Sequence, residues 1–208
     1  MTINLYNTDC MTALRDMPDN MYDLAIVDPP YGMHEQGAQT GGRGTLKNRM
    51  FHNGAYEHWD ISPSAEYFDE LRRVSVNQIV WGGQYFTDKL PVSREWISWD
   101  KCQPFPNFSQ IELAWTSYKG TSKLFKFDNK YSGKIHPTQK PVELYQWILS
   151  KYAKQGDRIL DTHLGSGSIA LACHTMGYSL DAYEIDGEYY AAAQARLHEH
   201  QRQMRLFV

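Results

Sequence analysis

Apolar and polar positions along this chain follow two periods. Short apolar or alternating runs at residues 3–7, 22–27, 78–81, 95–99, 111–115, 158–160 and 180–184 predict strands. Helical spacing fills several of the intervals. Residues 10–17 suit a turn or two with Asp9 as N-cap, and Ser62-Pro63 opens a helix with Tyr67, Phe68, Leu71 and Val74 on one face. Pro141 begins another, lined inward by Tyr145, Ile148, Leu149 and Tyr152. A helix over 168–176 stops at Gly177, and a last one runs from about residue 188 into a polar tail. The final third is therefore strand–helix–strand–helix, the right-handed crossover of a parallel sheet, which predicts an α/β fold. One interval, residues 33–60, has no apolar period and is rich in Gly, Gln, Asn and His; a loop that long is usually functional or disordered.

A length of 208 residues suits a single domain, with no internal repeat. No apolar run approaches the roughly 18 residues of a membrane span, and no basic-then-apolar start is present, so the expected compartment is the cytoplasm. Cys10, Cys102 and Cys173 are odd in number and far apart, which predicts reduced, mostly buried thiols. The histidines are scattered and no metal site is assigned. Trp81, Trp96, Trp99 and Trp115 fall on strands and are expected in the core.

The net charge of −3 argues mildly against nucleic acid, but it hides a local excess. From Lys119 to Lys140 six lysines (119, 123, 126, 130, 134 and 140) face one acid, Asp128, with Tyr118, Phe125, Phe127 and Tyr131 interleaved. Two readings fit this stretch: a nucleic-acid footprint in which lysines meet phosphates and rings stack on bases, or a solvated hairpin whose rings face the core. The 33–60 loop adds Arg43, Lys47 and Arg49, with His34, His52 and His58 as weaker phosphate candidates.

The chemistry concentrates at two turns. Leu24-Ala25-Ile26-Val27 runs into Asp28-Pro29-Pro30-Tyr31. Two prolines fix two φ angles and remove two donors, so the strand ends at Asp28 in a stiff loop holding a carboxylate, carbonyls and a ring together. That set suits gripping a planar amine. The second turn, 161–168, reads Asp-Thr-His-Leu-Gly-Ser-Gly-Ser between a strand and a helix, and Glu184 closes the next strand about twenty residues on. Glycines there admit a ligand close to the backbone, the helix N-terminus adds a favourable dipole, and such an acid accepts ribose hydroxyls. The full GxGxxG run is absent. Asp161 would repel a pyrophosphate but pair with an ammonium group, which favours a methyl donor such as S-adenosylmethionine over a nicotinamide cofactor.

Asp28-Pro29-Pro30-Tyr31 resembles the catalytic motif of the DNA amino-methyltransferases. With that motif first and the Gly-rich turn last, the order is similar to their circularly permuted β class, including phage and prophage members. His136-Pro137-Thr138-Gln139-Lys140-Pro141 resembles that family's HPTQKP segment, which helps enclose the methionine moiety. Leu5-Tyr6-Asn7-Thr8-Asp9-Cys10 is similar to the segment whose acid lies near the cofactor adenine, and residues 96–101 and 112–116 resemble the strands that follow. The likeness covers nearly the whole chain. It departs at Thr162 and His163, where the family usually has Pro and Phe, and in offering no separate target-recognition domain.

The resemblance implies a Rossmann-like fold over residues 1–208, a mostly parallel, seven-stranded sheet with helices on both faces and DNA-facing insertions at about 33–60 and 103–134. It implies methyl transfer from S-adenosylmethionine to the N6 amino group of adenine in double-stranded DNA, after base flipping. Asp28, Pro29, Pro30 and Tyr31 are the implied catalytic group, with Tyr31 stacking on the flipped base. Asp9, His136, Thr138, Lys140, Asp161, His163, Gly165, Ser166, Gly167, Glu184 and Ile185 are the implied cofactor residues. Arg43, Lys47, Arg49, Lys119, Lys123, Lys126 and Lys130 are the implied DNA contacts. Members are often dimers, in restriction–modification or phage settings. Competing readings are cytosine N4 methylation, action on RNA or a protein glutamine, and a DNA-binding relative that has lost catalysis.

Overall fold

The computed structural model describes residues 1–32, 61–103, 109–128 and 139–205. The cofactor candidates His136 and Thr138, the DNA candidates Arg43, Lys47, Arg49 and Lys130, and the loop histidines all lie outside these residues.

Among the described residues, eight strands form one sheet: β1 (Ile3–Asn7), β2 (Tyr22–Val27), β3 (Ser75–Trp81), β4 (Trp96–Asp100), β5 (Ile111–Thr116), β6 (Lys123–Lys126), β7 (Arg158–Asp161) and β8 (Ser179–Glu184). Their spatial order is β1-β8-β7-β2-β3-β5-β4-β6. All neighbours are parallel except β5, which is antiparallel to both β3 and β4. The sequence predicted seven strands. The eighth, β6, is an edge strand of four residues with lysine at each end, a composition that discourages pairing with a further chain.

The helices are α1 (Cys10–Asp16), α2 (Ala65–Val74), α3 (Val142–Tyr152), α4 (Ser168–Met176) and α5 (Gly187–Arg205). Side chains of β2 show why both faces are covered. Leu24 and Ile26 point into one core with α3, α4 and α5, while Ala25 and Val27 point into the other with α1 and α2. Asp9 caps α1, accepting from the Thr12 amide at 2.9 Å, as its spacing predicts. The cap of α2 is Ser64 rather than the predicted Ser62-Pro63 opening. β3 begins at Ser75, three residues before the predicted 78, because the Ser75 hydroxyl closes α2 on the Leu71 carbonyl and the chain passes straight into the strand.

Trp81, Trp99 and Trp115 are buried as expected, whereas Trp96 is half-buried. Cys10 and Cys173 are buried and Cys102 is exposed in the turn after β4, and all three are free, which agrees with mostly buried, unpaired thiols. Among the described residues no helix is long and apolar enough to cross a membrane.

β3 is followed by Gly82, whose φ of +68° is a left-handed conformation. A Cβ there would stand 2.2 Å from Cε1 of Tyr31. Replacing Gly82 with alanine should therefore combine backbone strain with a clash against a packed ring, costing about 2–4 kcal/mol. Chemical denaturation reads that loss; an unchanged midpoint would mean that the close approach is not real.

Candidate active site

β2, β3, β4, β6, β7 and β8 run in the same sense, so their carboxyl ends share one rim. β5 runs the other way and brings its first residues to that rim. Asp28 follows β2 there, directly beside the turn that follows β7. Its side chain is 23% exposed and engaged on both oxygens. The Tyr31 hydroxyl donates to Oδ1 at 2.7 Å, and the Lys140 ammonium donates to Oδ2.

Lys140 is 3% exposed, and its second acidic neighbour is Glu112 of β5 at 3.4 Å. Glu112 also receives Lys101 at 2.5 Å, from the turn after β4. The result is an alternating row, Asp28–Lys140–Glu112–Lys101, laid along the rim. Two indoles lie under its cations, with the Lys140 ammonium 5.1 Å from the Trp81 ring and the Lys101 ammonium 5.6 Å from the Trp99 ring. Burial alone would raise the Glu112 carboxyl, but Lys140 and Lys101 outweigh it and hold the group below its ordinary value. Burial alone would lower the Lys140 ammonium, and Asp28 and Glu112 outweigh that in turn. Both groups therefore stay charged. Glu112 and Lys101 were not found from sequence as site residues. The only signal was an acid near the start of an apolar strand.

Tyr31 was expected as a stacking surface. Here its ring lies on Tyr85, centroids 4.9 Å apart at 21°, with Phe86 edge-on at 6.2 Å and Gly82 beside it. Burial, then the Asp28 charge, raises its phenol well above the ordinary value, so it remains a proton donor to the acid. The structure thus gives Tyr31 an orienting contact with Asp28.

The second turn is built from β7 into α4. Gly165 and Gly167 have φ of +51° and +74°. A Cβ on Gly165 would meet nothing nearer than 3.9 Å, so the backbone there faces open space, whereas one on Gly167 would press on Ala193 of α5 at 3.0 Å. Glu184, at the end of β8, accepts the Gly165 amide at 2.8 Å and the Asp186 amide at 2.9 Å. Arg196 of α5 ties the turn from behind through the Ser166 carbonyl at 2.9 Å and the Ser168 hydroxyl at 3.0 Å, a support the sequence did not reveal. Asp161 is buried, with Oδ1 accepting the His163 amide at 3.0 Å, and no cation pairs with it among the described residues. Burial pushes its carboxyl up to about 8. Ile185 is exposed beside Glu184.

The structure therefore brings Asp28, Tyr31, Lys140, Asp161, His163, Gly165 and Glu184 to one rim. The Lys140 ammonium is held between Asp28 and Glu112. The lysine-rich stretch divides. Register places Lys126 opposite Asp100 at the site rim but Lys123 opposite Ile97 at the other end of the strand. Lys123 is paired with Glu95 at 2.5 Å, and Lys119, just before it in the chain, lies exposed ahead of β6. Tyr118, Phe125 and Phe127 pack against the core. For the described part of this stretch the rings face the core, so stacking of bases on those three rings is withdrawn, but the expected hairpin is not formed: β6 lies parallel to β4 at the sheet edge.

Known proteins resemble this chain over most of its length. Residues 79–195, more than half of the chain, match the DNA methylase family (N6_N4_Mtase), and the chain belongs to that family. It is similar to the type II methyltransferase M2.MboI of Moraxella bovis, 24% identical over 94% of this chain and 88% of that protein. It is likewise similar to the type II methyltransferase M.HpaI of Haemophilus parainfluenzae, 23% identical over 95% of this chain and 74% of that one. Among solved structures, the M1.HpyAVI–SAM complex superposes with a TM-score of 0.64 at 19% identity, covering 94% of this chain and 99% of that chain. The cytosine-N4-specific PvuII DNA methyltransferase superposes with a TM-score of 0.65 at 14% identity, covering 93% and 86%. These structures share the Rossmann-like methyltransferase fold, and the chain is a DNA methyltransferase by family.

Proposed function

We propose that this chain transfers a methyl group from S-adenosylmethionine to the N6 amino group of adenine in duplex DNA, as a β-class enzyme. The observation that carries the reading is Asp28, pinned at the carboxyl end of β2 with one oxygen on Tyr31 and the other on Lys140, beside the Gly165–Gly167 turn.

The residues present fit the cofactor. Asp161 is a buried carboxyl without a cation of its own, which suits a ligand that brings an ammonium group. Glu184 retains lone pairs for ribose hydroxyls beyond the two amides it accepts, and Asp9 stands at the start of α1 near the adenine position that the resemblance gives. When bound, S-adenosylmethionine supplies a methyl group on a positively charged sulfur, so activation of the leaving group is already in the reagent.

An exocyclic amino group is a weak nucleophile because its lone pair is delocalised into the ring. Asp28 and the Pro29 carbonyl accept its two hydrogens, favouring a pyramidal nitrogen. Transfer of the methyl group to that nitrogen would place positive charge on it, which the Asp28 carboxylate would stabilise until one of the two hydrogens is released as a proton to water. Tyr31 and Lys140 keep that carboxylate from turning away. Pro30 stiffens the loop. Inside a duplex the amino group cannot reach this geometry, so the base must swing out at a cost of a few kcal/mol. An acid rather than serine before Pro-Pro-Tyr favours adenine over cytosine. Lys126, at the site rim, is the described lysine placed to meet a phosphate.

The test is transfer of a labelled methyl group to unmethylated duplex DNA followed by mass spectrometry of the nucleosides. N6-methyladenosine is the expected product. N4-methylcytosine would overturn the choice of base, and label in protein or RNA alone would overturn the choice of DNA.

A further inference from the structure

The turn after β7 departs from the family's Pro-Phe pair at Thr162 and His163, and these side chains are joined to α2. The Tyr67 hydroxyl and Thr162 Oγ1 are 2.6 Å apart, and Thr162 Oγ1 and His163 Nδ1 are 2.9 Å apart. The Tyr67 ring meets the His163 ring edge-on, with centroids 5.5 Å apart. Tyr67 and Thr162 are both buried.

Burial fixes where the protons lie. Among the described residues the Tyr67 hydroxyl has no acceptor except Thr162 Oγ1, and leaving that proton unbonded would cost about 1–3 kcal/mol. Tyr67 therefore donates to Thr162. Thr162 has one proton of its own, and the neighbour left for it is His163 Nδ1. A neutral imidazole that accepts at Nδ1 carries its proton on Nε2. Burial lowers the His163 pKa to about 4, against the pull of Asp9, so the ring is neutral at physiological pH.

What remains is an Nε2–H donor with no partner among the described residues, on a half-buried ring two positions before Gly165. The electrostatic neighbour of that ring is Asp9, and Gly165 is the residue bonded to Glu184. Those two acids mark the adenine and ribose ends of the proposed cofactor site. Beside those acids the acceptors are the ring nitrogens and ribose oxygens of the nucleoside half; the remaining acceptor of S-adenosylmethionine, its carboxylate, belongs to the amino-acid end, whose ammonium and sulfonium groups accept nothing. We propose that His163 is a cofactor-binding residue that donates Nε2–H to an acceptor on the nucleoside half of S-adenosylmethionine, while Thr162 and Tyr67 are positioning residues that set its tautomer. A phenylalanine would offer the same site only packing. This inference rests on the methyl-donor reading of the site.

Two measurements test it. Nitrogen-15 NMR of the wild-type chain should show His163 as the Nε2–H tautomer, and Thr162→Val should shift that ring toward Nδ1–H. Calorimetric titration with S-adenosylmethionine and with S-adenosylhomocysteine, which share the nucleoside but differ in charge at sulfur, should show both weakened about 5–20-fold by His163→Phe. Wild-type binding with unchanged or tighter affinity in His163→Phe would overturn this inference alone, as would an Nδ1–H tautomer in the wild type. A wild-type chain that binds neither ligand would overturn the methyl-donor reading as well.

Discussion

Asp28→Asn is expected to keep the fold and lose methyl transfer by about 10²–10³-fold, equivalent to roughly 3–4 kcal/mol of transition-state stabilisation. The replacement is isosteric, so Pro29, Pro30 and Tyr31 need not move. Lys140 keeps Glu112 as its counter-ion, so no buried cation is stranded. What disappears is the negative charge facing the amino nitrogen, and half of the new side chain's hydrogen-bonding capacity becomes a donor pointed at a donor. Affinity for the cofactor should change less than about threefold, because the carboxyls proposed to hold it are Asp161, Glu184 and Asp9. Single-turnover transfer at saturating cofactor, with circular dichroism as the control, measures this. Activity above about a tenth of wild type would remove Asp28 from the chemistry.

Lys140→Met carries the second large effect, and it falls on stability as well as rate. The substitution preserves length and removes the ammonium between Asp28 and Glu112, leaving two carboxylates with one fewer cation in a largely enclosed rim. Breaking a buried pair from one side typically costs about 3–5 kcal/mol. Lys101 still neutralises Glu112, which places the expectation at the lower end of that range. A carboxylate no longer pinned on Oδ2 should also cost about 10–100-fold in rate. Adding Glu112→Gln to Lys140→Met should restore part of the stability but little of the rate, because it relieves the like-charge excess without recovering the hold on Asp28. Urea denaturation of the four variants in the cycle, with transfer rates measured well below each midpoint, gives both numbers. Equal losses of stability and no coupling would mean that the row of charges is only a surface feature.

Much of this was legible from local sequence. Asp28 declares itself because two prolines and a ring follow it at the end of an apolar run. The Gly165–Gly167 turn and Glu184 are legible because strand, turn, helix and next strand are contiguous. β6 was missed because Lys-Leu-Phe-Lys turns only Phe125 firmly onto the core, and its two lysines look like charge rather than a strand. The first residues of β3 were missed because α2 runs into it without a loop. Glu112 and Lys101 escaped for a different reason: their partners are distant in sequence, and β5 runs against its neighbours. A search for chemistry at strand ends passes over an acid that reaches the same rim from a strand's beginning. Lys140 was seen, but its partners were not, since a lysine before a helix says nothing about what its ammonium meets. The basic, aromatic stretch misled in part because rings interleaved with lysines suit a sheet edge as well as a nucleic-acid surface.

The pairing of β1 with β8, together with β2 beside β7, has a consequence for how the molecule comes into being. Asp28 leaves the ribosome early, yet the turn that completes its pocket is synthesised more than a hundred residues later. Contacts of such long range close slowly, and no half of the chain holds both parts of the chemistry. A nascent or prematurely ended polypeptide therefore displays the acid without a methyl source beside it, and competence arrives in one step with the final strands.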